Sequence, residues 1–199
     1  MIQFNNINSE RPYQIFKSNY DDALSKGQEY IEAAAISSFS KKSNKVNSRY
    51  VNIKFIEKDR FIFFSNYNSP KSNEFDDNNH IAVLFFWSAI GLQIRMQGIV
   101  TKTSTKFNKN YFKSRDIRKN ALAISSSQSS IIDGYEQVLK NYENAIKSKD
   151  LLECPDYWGG FEFCPESFEF WHGREFRLNL REKYQKKSNK NWEKIFLQP

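Results

Sequence analysis

The stretch Ser48-Arg49-Tyr50-Val51-Asn52-Ile53-Lys54 decides the fold, read with Phe168-Glu169-Phe170-Trp171 and the nearby Arg177-Leu178-Asn179-Leu180-Arg181. All three segments read as strands, and the first and last carry cations. Residues i, i+2 and i+4 of a β-strand share a face, so Arg177 and Arg181 are expected to project together. Arg49 and Lys54, five apart, point to opposite faces unless a bulge intervenes. Arginines held on a rigid strand suit a doubly charged phosphate.

The surrounding chain supplies more strands and few helices. Upstream, Pro12 stands where a first helical turn tolerates it and Gly27 where a helix stops; Ile15, Phe16, Tyr20, Ala23 and Leu24 form an apolar face between them. Strands follow at Ala33 to Phe39, at Ser48 to Ile56 and at Arg60 to Ser65, joined by polar turns, as in an antiparallel meander. Ser69-Pro70 reads as a cap and first residue of a short helix. His80 to Trp87 reads as a strand buried on both faces. Gly91 to Thr103 alternates, with Leu92, Ile94, Met96 and Gly98 on one side and Gln93, Arg95 and Gln97 on the other. Residues 105 to 124 are expected to be helical with a break near Ser114 to Asp116, and Ser129 or Ser130 to cap a helix running to Ser148. Strands return at Phe161 to Trp171, Glu175 to Tyr184 and Asn191 to Leu197.

This order predicts an α+β protein, mainly β, whose antiparallel strands close or nearly close into a barrel with peripheral helices. Closure would remove exposed edges. A single domain over residues 1–199 is expected, with an N-terminal helix in 1–28, inserted helices in 105–148 and C-terminal barrel strands in 158–199.

Composition excludes several classes. The chain of 199 residues carries 18 Phe, 10 Tyr and 4 Trp, enough bulky apolar surface for a substantial core. Two cysteines, Cys154 and Cys164, make no disulfide scaffold, and two histidines, His80 and His172, make no histidine-rich metal site; no metal is expected. The longest apolar run, Ile81 to Trp87, is too short to span a bilayer, and no leader pattern opens the chain, so a cytoplasmic protein without a membrane partner is expected. The net charge of +7 is spread along the chain, which argues against a nucleic-acid stripe and leaves a solvated basic surface or a site for a phosphorylated small molecule. There is no dinucleotide glycine loop, Walker loop or nucleophile elbow. A chain with so little chemistry of its own is suited to a borrowed cofactor.

Six segments in order resemble the pyridoxine/pyridoxamine 5'-phosphate oxidase family of FMN split barrels, which includes the phenazine-biosynthesis flavin oxidases. They are Arg49 to Lys54 (the Arg-x-x-x-x-Lys strand); Phe63-Phe64-Ser65-Asn66 with Ser69-Pro70-Lys71; Trp87 and Gln93; Gln128-Ser129-Ser130; Trp158-Gly159-Gly160-Phe161; and Glu169-Phe170-Trp171. The resemblance covers the chain from about Pro12 to the end. It implies FMN held by Arg49, Tyr50, Val51, Asn52, Lys54, Phe64, Ser65, Lys71, Gln93, Gln128 and Ser129, with Trp171 and Arg181 completing the site at a homodimer interface. It implies a substrate phosphate held by Lys54, Tyr111, Arg115 and Lys119, and a substrate ring met by the catalytic candidates Arg177 and Asn179. The implied reaction oxidises pyridoxamine or pyridoxine 5'-phosphate to pyridoxal 5'-phosphate with dioxygen.

The chain departs from the family pattern at four of these places. Asn179 stands for a histidine and cannot change charge near neutral pH. Leu180 stands for an acidic residue that could orient the arginines. Pro70 stands for an arginine of the flavin-phosphate segment, and Lys119 for a serine. These changes fall mainly on the substrate side, which leaves as alternatives an oxidase of another biosynthetic intermediate and a non-catalytic flavin- or pyridoxal-phosphate-binding protein.

Overall fold

The computed structural model describes residues 1–199 and is α+β, with one ten-stranded sheet curled into a barrel and five α-helices. In chain order the first half comprises β1 (Gln3–Asn5), α1 (Arg11–Ser25), β2 (Ala33–Ser40), β3 (Lys45–Asn52), β4 (Phe55–Glu57), β5 (Arg60–Asn66), α2 (Pro70–Asp77) and β6 (His80–Trp87). The second half comprises β7 (Leu92–Lys102), α3 (Thr105–Ser114), α4 (Ile117–Ser125), α5 (Tyr135–Ser148), β8 (Trp158–His172), β9 (Leu180–Lys186) and β10 (Trp192–Leu197). The ladder runs β1-β4-β5-β8-β7-β6-β2-β3, and the β9–β10 hairpin branches from β8. No helix is long and apolar enough to cross a membrane.

The expected single strand from Ser48 to Ile56 is broken in two. Ile53 N–H donates to Glu32 O at 2.9 Å, and the next amide, Lys54 N–H, donates to Ile62 O at 2.8 Å. Consecutive amides thus bond to different strands, because the chain leaves β2 on one side and joins β5 on the other. Ile53 is fully buried at the corner. Through this kink β3 and β4 link the two ends of the sheet, so chain continuity closes the barrel. The N-terminal segment holds more than a helix: β1 pairs with β4, and in parallel, an exception to the antiparallel expectation.

α1 plugs the barrel. Pro12 opens it at N1/N2 and Gly27, at φ +76°, follows its end. Its buried face sets the Phe16 ring 5.1 to 5.4 Å from Phe61, Phe85 and Trp87 in edge-on contacts, an arrangement aromatic quadrupoles favour.

A bulge in β8 explains a sequence pattern that simple alternation misses. Opposite β7, Gln97 faces Ser167 but Gly98 faces Pro165, leaving Glu166 unpaired. One extra residue reverses which parity points inward. Phe161 and Phe163 before it, and Phe168 and Phe170 after it, therefore all enter the core. Gly98 fits here because a Cβ would lie 2.6 Å from the Cys164 carbonyl oxygen.

Three other expectations are corrected. β6 is not buried on both faces: Ile81, Val83, Phe85 and Trp87 point in, whereas Leu84 and Phe86 are exposed on the outer face. The long helix begins at Tyr135 with Gly134 as its cap, not at Ser129 or Ser130, because Ser129 takes a left-handed backbone (φ +68°) that stops helix growth there. The last hairpin begins at Leu180; Glu175–Arg177 is a 3-10 turn, so Arg177 does not share a strand face with Arg181. The break between α3 and α4 falls where expected, with Asp116 capping α4 through the Arg118 amide.

Gly98→Ala should lower the unfolding free energy by about 2 to 3 kcal/mol, since the added methyl meets backbone that cannot rotate away. Urea denaturation checks this; an unchanged midpoint would show that the bulge can yield.

Candidate functional site

A cavity of about 1020 Å³ opens beside the β3–β4 corner. The corner supplies Arg49, Tyr50, Val51, Asn52, Lys54 and Phe55 to its wall. Since the strand kinks after Asn52, Arg49 and Lys54 line one cavity despite their odd spacing. The end of β5 adds Phe64 and Ser65, α2 adds Lys71, and the α3–α4 segment adds Tyr111, Arg115 and Lys119. Gln128 and Ser129 come from the loop after α4. Thirteen residues predicted from the sequence thus meet in one place.

Lys71 is the unusual charge. It is 7% exposed, and its ammonium donates to Ser65 Oγ at 2.8 Å and Ser69 Oγ at 3.1 Å. Ser69 stands at the α2 cap but makes no side-chain capping bond; its hydroxyl donates to Asn66 O instead. Burial, then the neighbouring Arg49, lower the Lys71 pKa to about 8, and Glu74 only partly opposes them. A buried cation whose bonded partners are neutral hydroxyls is poorly compensated. An anion would complete it.

Arg49 is positioned by a buried carboxylate that sequence reading missed. Glu74 Oε2 accepts from Arg49 Nη2 at 2.8 Å and from the Ser38 hydroxyl at 2.5 Å, while Glu74 Oε1 accepts from Asn47. Burial raises the Glu74 pKa, but these hydrogen bonds outweigh it and hold the carboxyl below its ordinary value. The available signal was the i, i+3 spacing of Lys71 and Glu74 on one short helix. Gln128 is fixed by Ser65 Oγ and Asn66 N–H, which donate to its Oε1 at 3.0 and 3.1 Å.

The second cation group rests on aromatic rings. Tyr111 stacks on Phe64 at 4.1 Å between centroids, and Phe64 stacks on Trp158 at 5.1 Å. The Arg115 guanidinium lies 4.6 Å from the Trp158 centroid, a cation–π contact. Arg115 follows α3 as its C-cap residue, donates weakly to Lys119 O at 3.4 Å, and leaves a buried Nη1 without a partner. Trp158 and Phe55 are cavity residues that sequence reading did not assign to the site. The signal for Trp158 was its place next to Gly159-Gly160, where the backbone must pass close to Tyr67 and Thr103. Lys54 pairs loosely with Glu32, at 3.5 Å.

The remaining predicted residues lie elsewhere. Gln93, Trp171 and Arg181 pair directly across β7, β8 and β9, one row on the outer face of the sheet, and line a separate cavity of about 630 Å³. Glu169 accepts from Arg181 Nε and Nη2 at 2.9 and 2.7 Å, and pairs with Arg95 at 3.1 Å. The neighbouring strand therefore orients Arg181, with no acid needed at position 180. Arg177 and Asn179 sit on the turn before β9 and line neither cavity. No group of His, Cys, Asp and Glu could hold a metal ion.

The solved structures define the class as a split barrel. PhzG from Burkholderia lata, in complex with tetrahydrophenazine-1-carboxylic acid, superposes with a TM-score of 0.89 over 96% of this chain and 93% of its own, at 22% identity. A pyridoxamine 5'-phosphate oxidase-related, FMN-binding protein from Nostoc punctiforme gives a TM-score of 0.80 over 96% and 100%, at 13% identity. Family models then match residues 21–146 as pyridoxamine 5'-phosphate oxidase and residues 158–199 as the pyridoxine 5'-phosphate oxidase C-terminal dimerisation region. Pyridoxine/pyridoxamine 5'-phosphate oxidases of Colwellia psychrerythraea (36% identity, 85% of this chain and 79% of the relative) and Coxiella burnetii (34%, 94% and 95%) are similar throughout. The chain belongs to the pyridoxamine 5'-phosphate oxidase family.

Lys71 has a lower proton affinity folded than unfolded, so the folded chain sheds that proton first and stability gains from rising pH between about 8 and 10.5. The unliganded wild type minus Lys71→Met difference in unfolding free energy should therefore be negative below pH 8 and shrink toward pH 10.5. Chemical denaturation across that range checks it; a flat difference would mean that Lys71 is not a strained cation.

Proposed function

We propose that this protein is a homodimeric FMN-dependent oxidase that converts pyridoxamine or pyridoxine 5'-phosphate to pyridoxal 5'-phosphate with dioxygen. The observation that carries the reading is the pairing of two incompletely compensated cations, Lys71 and Arg115, in one aromatic-floored cavity of a chain that belongs to this family.

The residues present fit FMN. Arg49, Lys71, Ser65 and Ser129 are the right types for its phosphate, and Gln128 and Gln93 for the polar edge of its ring. When bound, FMN supplies the two-electron acceptor that dioxygen regenerates with release of hydrogen peroxide. Lys71 gains the counter-charge it lacks, and Glu74 keeps Arg49 from swinging away. Tyr50, Val51, Asn52 and Phe64 supply the wall between these polar ends.

Lys54, Tyr111, Arg115 and Lys119 hold the substrate phosphate. The unpartnered Nη1 of Arg115 offers a donor already desolvated and already fixed by Trp158, so little ordering remains to be done on binding. Neither histidine lines the cavity. The chain's contribution is therefore orientation and charge, with Arg177 aligning the substrate ring.

A homodimer reconciles the scattered residues. Trp171, Gln93, Arg181, Arg177 and Asn179 lie off the main cavity of their own chain, on and beside an outer face that also exposes Leu84 and Phe86. A second copy laid against that face would cover the apolar side chains and bring the row to a cavity.

Protein incubated with FMN and freed of excess should carry one flavin per chain, sediment as a dimer, and release one peroxide per pyridoxal phosphate formed. A colourless protein would end the reading, and peroxide formation only with other reduced aromatic amines would move it to the phenazine-type branch. Arg115→Ala should raise KM by about 10- to 100-fold with little change in kcat, the cost of charge-assisted hydrogen bonds made equally in ground and transition states. FMN affinity should be level below pH 8 and fall by up to about tenfold per pH unit above it, as Lys71 must regain its proton to meet the phosphate. Fluorescence titration from pH 7 to 10 reads this directly.

A further inference from the structure

We infer that Asn179 is a positioning residue for Arg177, whose amide oxygen staples shut a strained loop that presents the arginine. This deepens the reading above and rests on it for the role of Arg177.

The loop between β8 and β9 is held at three points. Gly173 N–H donates to Gly91 O at 2.9 Å, Leu178 N–H to Glu175 O at 3.1 Å, and Arg174 N–H to Asn179 Oδ1 at 3.1 Å. The first two are backbone bonds open to almost any sequence. The third depends on a side chain, and it spans the whole loop.

What the staple holds is costly. Phe176 and Arg177 take consecutive left-handed conformations, at φ +55° and +62°. For a non-glycine residue this backbone is strained, and such strain persists only where neighbouring contacts enforce it. Burial does not enforce it here: Phe176 is 89% and Leu178 71% exposed, and Arg177 is exposed between them. Without the Asn179 bond, the loop would retain only the Gly173 anchor and the short Leu178 bond against two strained residues.

The amide oxygen is therefore committed to the loop backbone. Asn179 acts on the reaction through where it puts Arg177, and its failure to titrate near neutral pH does not matter to that task. A short side chain with one fixed acceptor two residues from the arginine suffices.

A double-mutant cycle on the FMN-loaded dimer tests this, reading kcat, KM, flavin content and melting temperature for Asn179→Ala, Asn179→Asp, Arg177→Ala and the Asn179→Ala/Arg177→Ala pair. Asn179→Ala should lower kcat/KM for pyridoxamine phosphate by about tenfold, the weight of one hydrogen bond that fixes a charged group, with flavin content unchanged. Asn179→Asp, which keeps an acceptor oxygen in place, should recover most of that loss. The double variant should be no worse than Arg177→Ala alone, because a residue acting only through Arg177 has nothing further to lose. Equal losses in Asn179→Ala and Asn179→Asp would mean that the amide NH₂ meets substrate itself, and would overturn the inference. So would additive losses in the double variant, or no loss in Asn179→Ala. If Arg177→Ala retains full kcat/KM, the assignment of Arg177 to the substrate ring fails, whatever Asn179 does.

Discussion

Two adjacent amides that look in opposite directions organise this molecule. Ile53 bonds back toward the segment entering β2, Lys54 forward to β5, and the strand between Lys45 and Glu57 becomes two. A regular strand would have sent Arg49 and Lys54 to opposite sides of the sheet. The corner puts both on the wall of one cavity, joins the ends of the sheet, and gives β1 an edge to pair with. The energetic condition is modest: Ile53 is fully buried at the bend, and both amides keep partners, so neither N–H is stranded.

The cavity built there depends on charge that the fold leaves unsettled. Glu74 is fully engaged by Arg49, Ser38 and Asn47, so it has no capacity left for Lys71 across the same short helix. Arg115 stands over Trp158 with a buried nitrogen unpaired. In each case desolvation has already been endured by the folded chain, so an arriving anion finds donors that need not be stripped of water. The outer row of Gln93, Trp171 and Arg181 is different in kind. Glu169 neutralises and orients Arg181, so that face is fixed in shape before anything meets it.

Much of this was legible in the residues because it is local. The break before Asp116 is a cap that a short acidic side chain makes with its own helix, and the alternation in β7 follows from one buried face. Thirteen of the predicted residues line one cavity, while Gln93, Trp171, Arg181, Arg177 and Asn179 lie off it. What was not legible depends on partners remote in sequence. The outward apolar face of β6 looks like a core strand because Leu84 and Phe86 are as greasy as Val83 and Phe85; only the sheet's position tells them apart. The start of β9 was hidden because Arg177-Leu178-Asn179 alternates well enough for a strand, while its backbone turns left-handed. Glu74 carried only its spacing from Lys71, which says nothing of Arg49, yet it fixes that arginine.

The unpaired Glu166 has a further meaning for how this chain can change length. On either side of it β8 keeps strict alternation, but with opposite parity, so Phe161 and Phe163 belong to one phase and Phe168 and Phe170 to the other. Deleting Glu166 would abolish the bulge and leave a regular strand with all four rings still on one face, whereas deleting a residue from either half while the bulge persists would turn one pair of rings out of the core. A single-residue deletion is thus accommodated at the bulge and not within the regular halves on either side of it. The bulge acts as a phase marker, dividing the strand into a half keyed to β5 and a half keyed to the β9–β10 hairpin, each free to vary in composition only in step with its own side of the mark.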